Sequence, residues 1–128
     1  MSNTERAIQA DGEIPIYETV KHLTRDEIEQ TVRRNAKAMQ FDLKDEHLSV
    51  INALIEHYQN DCKTRDCLAA HEHMQFLEEA FESKGGSRYL YMLFDAVPGT
   101  RGVLQPIHEL AGLPPLQLET DEGFGTAF

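Results

Sequence analysis

Two cysteines and a scatter of histidines are the residues of this sequence best equipped for chemistry. Cys62 and Cys67 lie five positions apart, which is not the C-x-x-C spacing of a redox dithiol. Cys67 near a helix N-terminus would gain thiolate character from the helix dipole. Asp61 and Asp66, which immediately precede the two thiols, oppose it, and Lys63 and Arg65 partly offset those acids. The pair reads first as inert, reduced thiols and second as reactive thiols or a redox pair. Cys67, His71 and His73, with Cys62 nearby, are metal-ligand residue types. Cys67 and His71 share a helix face at i,i+4, but His73 points off it, and no C-x-x-C or H-E-x-x-H pattern accompanies them. Neither a metal nor another cofactor is expected. His108 beside Glu109 suits a proton carrier or, more commonly for a single histidine, a partly exposed hydrogen-bonding residue. There is no phosphate-binding glycine loop, nucleophile elbow or paired-carboxylate motif, and no catalytic residue is assigned.

The elements that must position these residues are mainly helical. Residues 1–12 read as a loose N-terminus. Residues 13–17 alternate apolar and polar side chains, as a short edge strand or hairpin arm would, with Pro15 excluding a central position. Thr24-Arg25-Asp26-Glu27 is a capping-box pattern, and Ile28, Val32, Ala36 and Met39 follow at helical spacing, which predicts a helix over about 25–40. A second helix is expected over about 44–60, with Asp42 as its cap and Leu48, Ile51, Leu54, Ile55 and Tyr58 inward. A third is expected over about 65–83, ended by Gly85-Gly86. Ser87 suits the cap of a short fourth helix over about 88–94, whose Tyr89, Tyr91 and Phe94 read as core. Pro106 suits the first turn of a last short helix that Gly112 stops in a left-handed conformation. The stretch over 116–128 has no period and reads as a mobile C-terminal arm. The expectation is one mainly α domain over 13–115, with a little β at its N-terminal edge, between a loose terminus and an arm.

Charge narrows the partners. The chain of 128 residues carries a formal net charge of -10, which disfavours unspecific binding to nucleic acid or anionic lipid. Bases concentrate between Lys21 and Lys37, where Arg33, Arg34 and Lys37 form a stripe suited to an acidic partner. From Glu109 onward the only charged residues are acids: Glu109, Glu119, Asp121 and Glu122. No apolar run approaches the ~20 residues of a membrane span, and the polar, acidic start lacks a signal-peptide core, so the expected address is the cytoplasm without membrane contact.

Three segments resemble the DsrC/TusE/DsvC sulfur-relay family. Leu43-Lys44-Asp45-Glu46-His47-Leu48-Ser49-Val50-Ile51, with Leu54-Ile55-Glu56-His57-Tyr58 behind it, is similar to a family helix that opens L-T-x-E-H-W-x-V-I and closes L-R-x-Y-Y. Ser87-Arg88-Tyr89-Leu90-Tyr91-Met92-Leu93-Phe94 is similar to S-K-Y-L-Y-x-L-F, and Leu110-Ala111-Gly112-Leu113-Pro114-Pro115 is similar in part to x-A-G-L-P-K-P. The resemblance covers most of 43–115. It implies a compact helical fold with a small N-terminal hairpin and a mobile arm. It also implies a protein that serves as a substrate rather than an enzyme, whose arm cysteine presents persulfide sulfur to other proteins. Those partners include siroheme sulfite reductase, a membrane complex that handles a cysteine trisulfide, and the relay toward tRNA thiolation.

The departures from the family pattern alter that expectation. The arm-cysteine position falls on Glu119, and the second family cysteine falls on His108. Neither residue can hold sulfane sulfur, because transfer requires a thiolate. The family's Trp after E-H is Leu48, the Arg of L-R-x-Y-Y is Ile55, and about five extra residues separate Phe94 from Ala111. The chain resembles a branch of the family that lacks both cysteines and is regarded as regulatory. The resemblance therefore implies protein binding, for which the charge pattern offers Arg33, Arg34 and Lys37 or Glu119, Asp121 and Glu122. The partner would belong to the sulfur-oxidation, sulfite-reductase or sulfur-relay machinery. The alternative is sulfur carriage on Cys62 or Cys67. Some family members have been linked to DNA, a contact that the negative charge disfavours here.

Overall fold

A computed structural model of the chain describes residues 16–62 and 70–114. Among these residues every regular element is helical, as the capped 3.6-period segments predict. The first helix, α1, spans Ile16–Val20. Here the sequence expectation is corrected, because Ile16 and Tyr17 open a helix rather than extend a strand. Alternation over so few residues also fits an i,i+4 pair, and Ile16 and Val20 form one, both buried. The rest of the expected strand, 13–15, lies outside the described residues, as do the loose terminus and the arm.

Helix α2, Arg25–Ala38, starts with the capping box read from sequence. The Glu27 amide donates to Thr24 Oγ1 at 3.2 Å, and the Thr24 amide donates to Glu27 Oε1 at 3.0 Å. Ile28, Val32 and Ala36 form its buried stripe. Past its end the chain turns at Gln40, whose φ of 59° is left-handed, and the Phe41 amide closes back on the Ala36 carbonyl at 2.8 Å. A side chain costs energy in that conformation and glycine does not, so Gln40→Gly is expected to stabilise the fold by about 0.5–1 kcal/mol. A urea midpoint that stays put or falls would count against the assignment.

Helix α3, Asp45–Asp61, is the central rod, burying Leu48, Val50, Ile51, Leu54, Ile55 and Tyr58. Asp42 does not cap it but pairs with Lys44 Nζ at 2.7 Å. The cap is supplied by a ring. Nδ1 of His47 accepts the Lys44 amide at 2.9 Å, and Nε2 donates to the Leu93 carbonyl at 2.7 Å. These two bonds set the tautomer and tie the start of α3 to the helix that carries Leu93.

Helix α4 spans Ala70–Ala80 and buries Ala70, His73, Met74 and Leu77, while the earlier part of the expected helix lies outside the described residues. A 3-10 turn at Glu82–Lys84 and Gly85, with φ 128°, lead into α5, Gly86–Phe94. Gly85, not Ser87, is the N-cap. Of the three aromatics expected in the core, Phe94 is there, Tyr89 is half-buried and Tyr91 is 40% exposed. Helix α6 spans Leu104–Ala111 and stops at Gly112 with φ 70°. Helices α1, α4 and α5 pack on α3, and α6 packs on α2. Asn35 Nδ2 pins that last contact by donating to the Leu110 carbonyl at 2.8 Å.

Gly112 closes α6 as expected. Its amide bonds the Glu109 carbonyl at 3.3 Å, and the Leu113 amide bonds the His108 carbonyl at 2.9 Å. A Cβ at Gly112 would meet only ordinary contacts, 3.6 Å from Thr31 Cγ2 and 3.7 Å from Asn35 Nδ2, so the penalty for a side chain lies in the backbone. Gly112→Val is expected to cost about 1–2 kcal/mol or more, read as a lower urea midpoint at unchanged slope. Among the described residues, no helix is long and apolar enough to cross a membrane.

Candidate functional site

Four polar rings meet inside the helical core. His57 and Tyr58 come from successive positions on α3, His73 comes from α4 and His108 from α6. All four are buried, with His73 and Tyr58 fully so. A helix carries its buried face on positions three and four apart. Tyr58 continues the stripe of Ile51, Leu54 and Ile55, and His57 sits at the edge of that stripe, facing α4.

Hydrogen bonds fix the protons of His108. The Pro114 carbonyl, 2.7 Å from Nδ1, can only accept, so Nδ1 carries the hydrogen. Nε2 is then a lone pair, and the Tyr58 hydroxyl donates to it at 2.6 Å. Burial pushes the Tyr58 hydroxyl well above its usual range, so it remains a donor. Burial likewise pushes His108 down to about 4, with nearby His73 adding to the shift and the bond to Pro114 opposing it. At neutral pH the pair is an uncharged Tyr–His–carbonyl chain linking α3, α6 and Pro114, three residues beyond α6. The expectation of a partly exposed His108 is thus corrected, because the side chain is 3% exposed and bonded at both nitrogens.

The other half of the cluster links α3 to α4. His57 Nε2 lies 3.1 Å from His73 Nδ1, and Asp61 Oδ2 lies 2.8 Å from His57 Nδ1. His57 also stacks on Phe76, with centroids 4.2 Å apart. The ring edges of Tyr58 bridge the halves, 4.9 Å from His73 and 5.6 Å from His108 between centroids. The sequence reading missed His57, His73 and Tyr58 as a unit. The available signal was position, since His57 borders the α3 stripe and His73 lies four before Leu77.

The residues singled out from sequence do not converge. Cys62 is buried at the C-cap of α3, and it is disulfide-bonded, which corrects the expectation of reduced thiols. The chain has one other cysteine, Cys67, which lies outside the described residues. His71 is exposed while His73 is buried, so the two do not share a face. Among the described residues, no group of three His, Cys, Asp or Glu is placed to hold a metal ion. Arg33, Arg34 and Lys37 are exposed on α2, with Arg33 paired to Glu29 at 2.7 Å. Glu119, Asp121 and Glu122 lie outside the described residues. Comparisons with protein-family models, curated proteins and solved structures return no match.

Proposed function

We propose that this chain is a DsrC/TusE-like protein of sulfur metabolism that acts by binding or regulating another protein and does not carry sulfur covalently. The observation that supports this most is the environment of His108, the residue at the position of the family's second cysteine. A thiol there would need room to reach an arm or a donor. His108 instead spends both ring nitrogens on internal bonds, to Tyr58 and to the Pro114 carbonyl, and is buried. The position has become part of the core. The segments that carry the resemblance also fit one scaffold, with His47 of α3 bonded to Leu93 of α5 and the A-G-L-P stretch closing α6.

The alternative, a carrier thiol moved to Cys62 or Cys67, must use at Cys62 a residue that is buried and already bonded. Were the bond reduced, as cytoplasmic thiols generally are, burial would still restrict an incoming persulfide donor. The proposed setting is the cytoplasm. The proposed partner is a protein of the sulfur-oxidation, sulfite-reductase or sulfur-relay machinery, with nucleic acid disfavoured by the charge of -10.

The test restores the missing thiol. In Glu119→Cys, a protein persulfide donor of the relay is expected to add a ~32 Da increment on the introduced residue, lost on reduction, while wild type takes up none. Uptake by wild type equal to that of the variant would sink the proposal. Uptake mapped to Cys62 or Cys67 would establish the alternative.

A further inference from the structure

Among the described residues, the large apolar side chains left exposed are Tyr91, at 40%, and Met92, at 69%, and both lie on α5. The other side of that helix meets the core through Leu90 and Phe94. Arg88 and Asp95 are exposed as well. Asp95 is the C-cap of α5, and its φ of -62° and ψ of -31° continue the helical path. At 3.6 residues per turn, Arg88, Tyr91, Met92 and Asp95 fall within an arc of about 100°, at the i, i+3, i+4, i+7 spacing of a contact face.

The two charges of this stripe find no counterpart along the helix. Arg88 has no acid three or four positions away on either side, and Asp95 has no base. Among the described residues neither makes an ion pair. The stripe reads base, apolar, apolar, acid, and that order is self-complementary. Laid antiparallel on a second copy, with Tyr91 of each chain beside Met92 of the other, it brings each Arg88 beside the other chain's Asp95. The register is forced, because Arg88 and Asp95 lie equally far along the helix from the midpoint between Tyr91 and Met92.

We infer that α5 is the contact of a homodimer, in which the Arg88–Tyr91–Met92–Asp95 stripes of two copies pack antiparallel about a two-fold axis. An isologous contact of this kind closes on itself and stops at two chains. It withdraws both Met92 side chains from water and supplies each Arg88 with a carboxylate. Two large apolar residues per copy make a small contact, so the dimer is weak and reversible. The charge of -10 on each chain opposes it at long range, but a Debye length of about 8 Å at about 0.15 M salt confines that repulsion. The inference holds whether or not the chain works with sulfur-relay proteins, and its test does not use sulfur chemistry.

Two charge reversals in the full chain test the contact. Arg88→Glu sets an acid against Asp95 of the other copy, and Asp95→Arg sets a base against Arg88. Sedimentation velocity at about 0.15 M salt, from about 10 μM to about 1 mM protein, reads the association. Wild type is expected to shift from monomer toward dimer across that range, and each variant by itself to bind at least about tenfold more weakly. An equimolar mixture of the two variants is expected to dimerise as wild type does, because every reversed charge then meets its opposite. Recovery on mixing also excludes misfolding as the cause of the losses. Met92→Glu, a change at an exposed site, is expected to keep the circular dichroism spectrum of wild type and to abolish association. Wild type that stays monomeric throughout would overturn the inference and leave the stripe to a different protein. A dimer indifferent to all three substitutions would place the contact on another face. Losses that mixing does not restore would rule out the antiparallel register and the inference with it.

Discussion

Truncating Tyr58 to alanine is expected to remove about 4 kcal/mol or more of folding stability, enough to leave a domain of this size close to unfolding at room temperature. Tyr58 is fully buried and lies between the rings of His73 and His108. Loss of a large buried aromatic leaves a cavity that a packed core closes only in part, which accounts for about 3–5 kcal/mol. Loss of the hydroxyl also strips the lone pair on His108 Nε2 of its donor at 2.6 Å. A buried acceptor left unpaired costs about 1–3 kcal/mol. Tyr58→Phe isolates the second contribution, because it keeps the ring and deletes the donor. Urea unfolding of both variants separates the two. A phenylalanine variant as stable as wild type would show that the 2.6 Å contact is not a sustaining hydrogen bond.

Acidification is expected to weaken the fold by roughly 3 kcal/mol through His108 alone. Burial holds its folded pKa at about 4, below the ordinary value of 6.5. Between those values the unfolded chain takes up a proton that the folded chain refuses, so stability increases with pH across that window. The contribution is complete above pH 6.5 and is lost as the pH falls through about 4. Surface carboxylates titrate in the lower part of the same window, so wild type by itself does not isolate the effect. His108→Gln removes the titrating group. Its stability should change less between pH 7 and pH 4.5 than that of wild type, even though it starts lower. Parallel slopes for the two proteins would place the acid sensitivity elsewhere.

Helix boundaries and caps were legible where one residue type has one physical use. Thr24 with Glu27 three residues on, and Gly112 after Leu110-Ala111, announce a helix start and a helix stop because their backbone conformations admit few alternatives. The stripes of α2 and α3 were legible because Ile, Val and Leu favour the interior in almost any setting. Histidine has no such fixed preference. His47, His57, His73 and His108 are all buried here, each bonded to a partner from outside its own immediate turn, and only the fold reveals those partners. His47 as a helix cap escaped the expectation of Asp42 for the same reason, since its usefulness depends on a carbonyl of α5. Helix α1 was missed because Pro15 and a brief alternation fit a strand as well as they fit Ile16 and Val20 on one side of a helix. The disulfide at Cys62 was missed because two cysteines in a chain give no disulfide framework to read from sequence.

The amide of Gln59 has a consequence for how this molecule opens. Its Nε2 donates to the carbonyls of Val20 at 2.9 Å and Leu23 at 3.0 Å, closing the end of a helix only five residues long. A helix of that length does not persist by itself in water. Helix α1 therefore forms when α3 offers Gln59 and the adjoining apolar surface, and it melts ahead of the rest when either is withdrawn. Amide protons of α1 should exchange with solvent in a low-energy excursion that leaves α3 protected. Ile16 and Val20, both buried in the folded chain, are then the first core residues that a protease or chaperone meets.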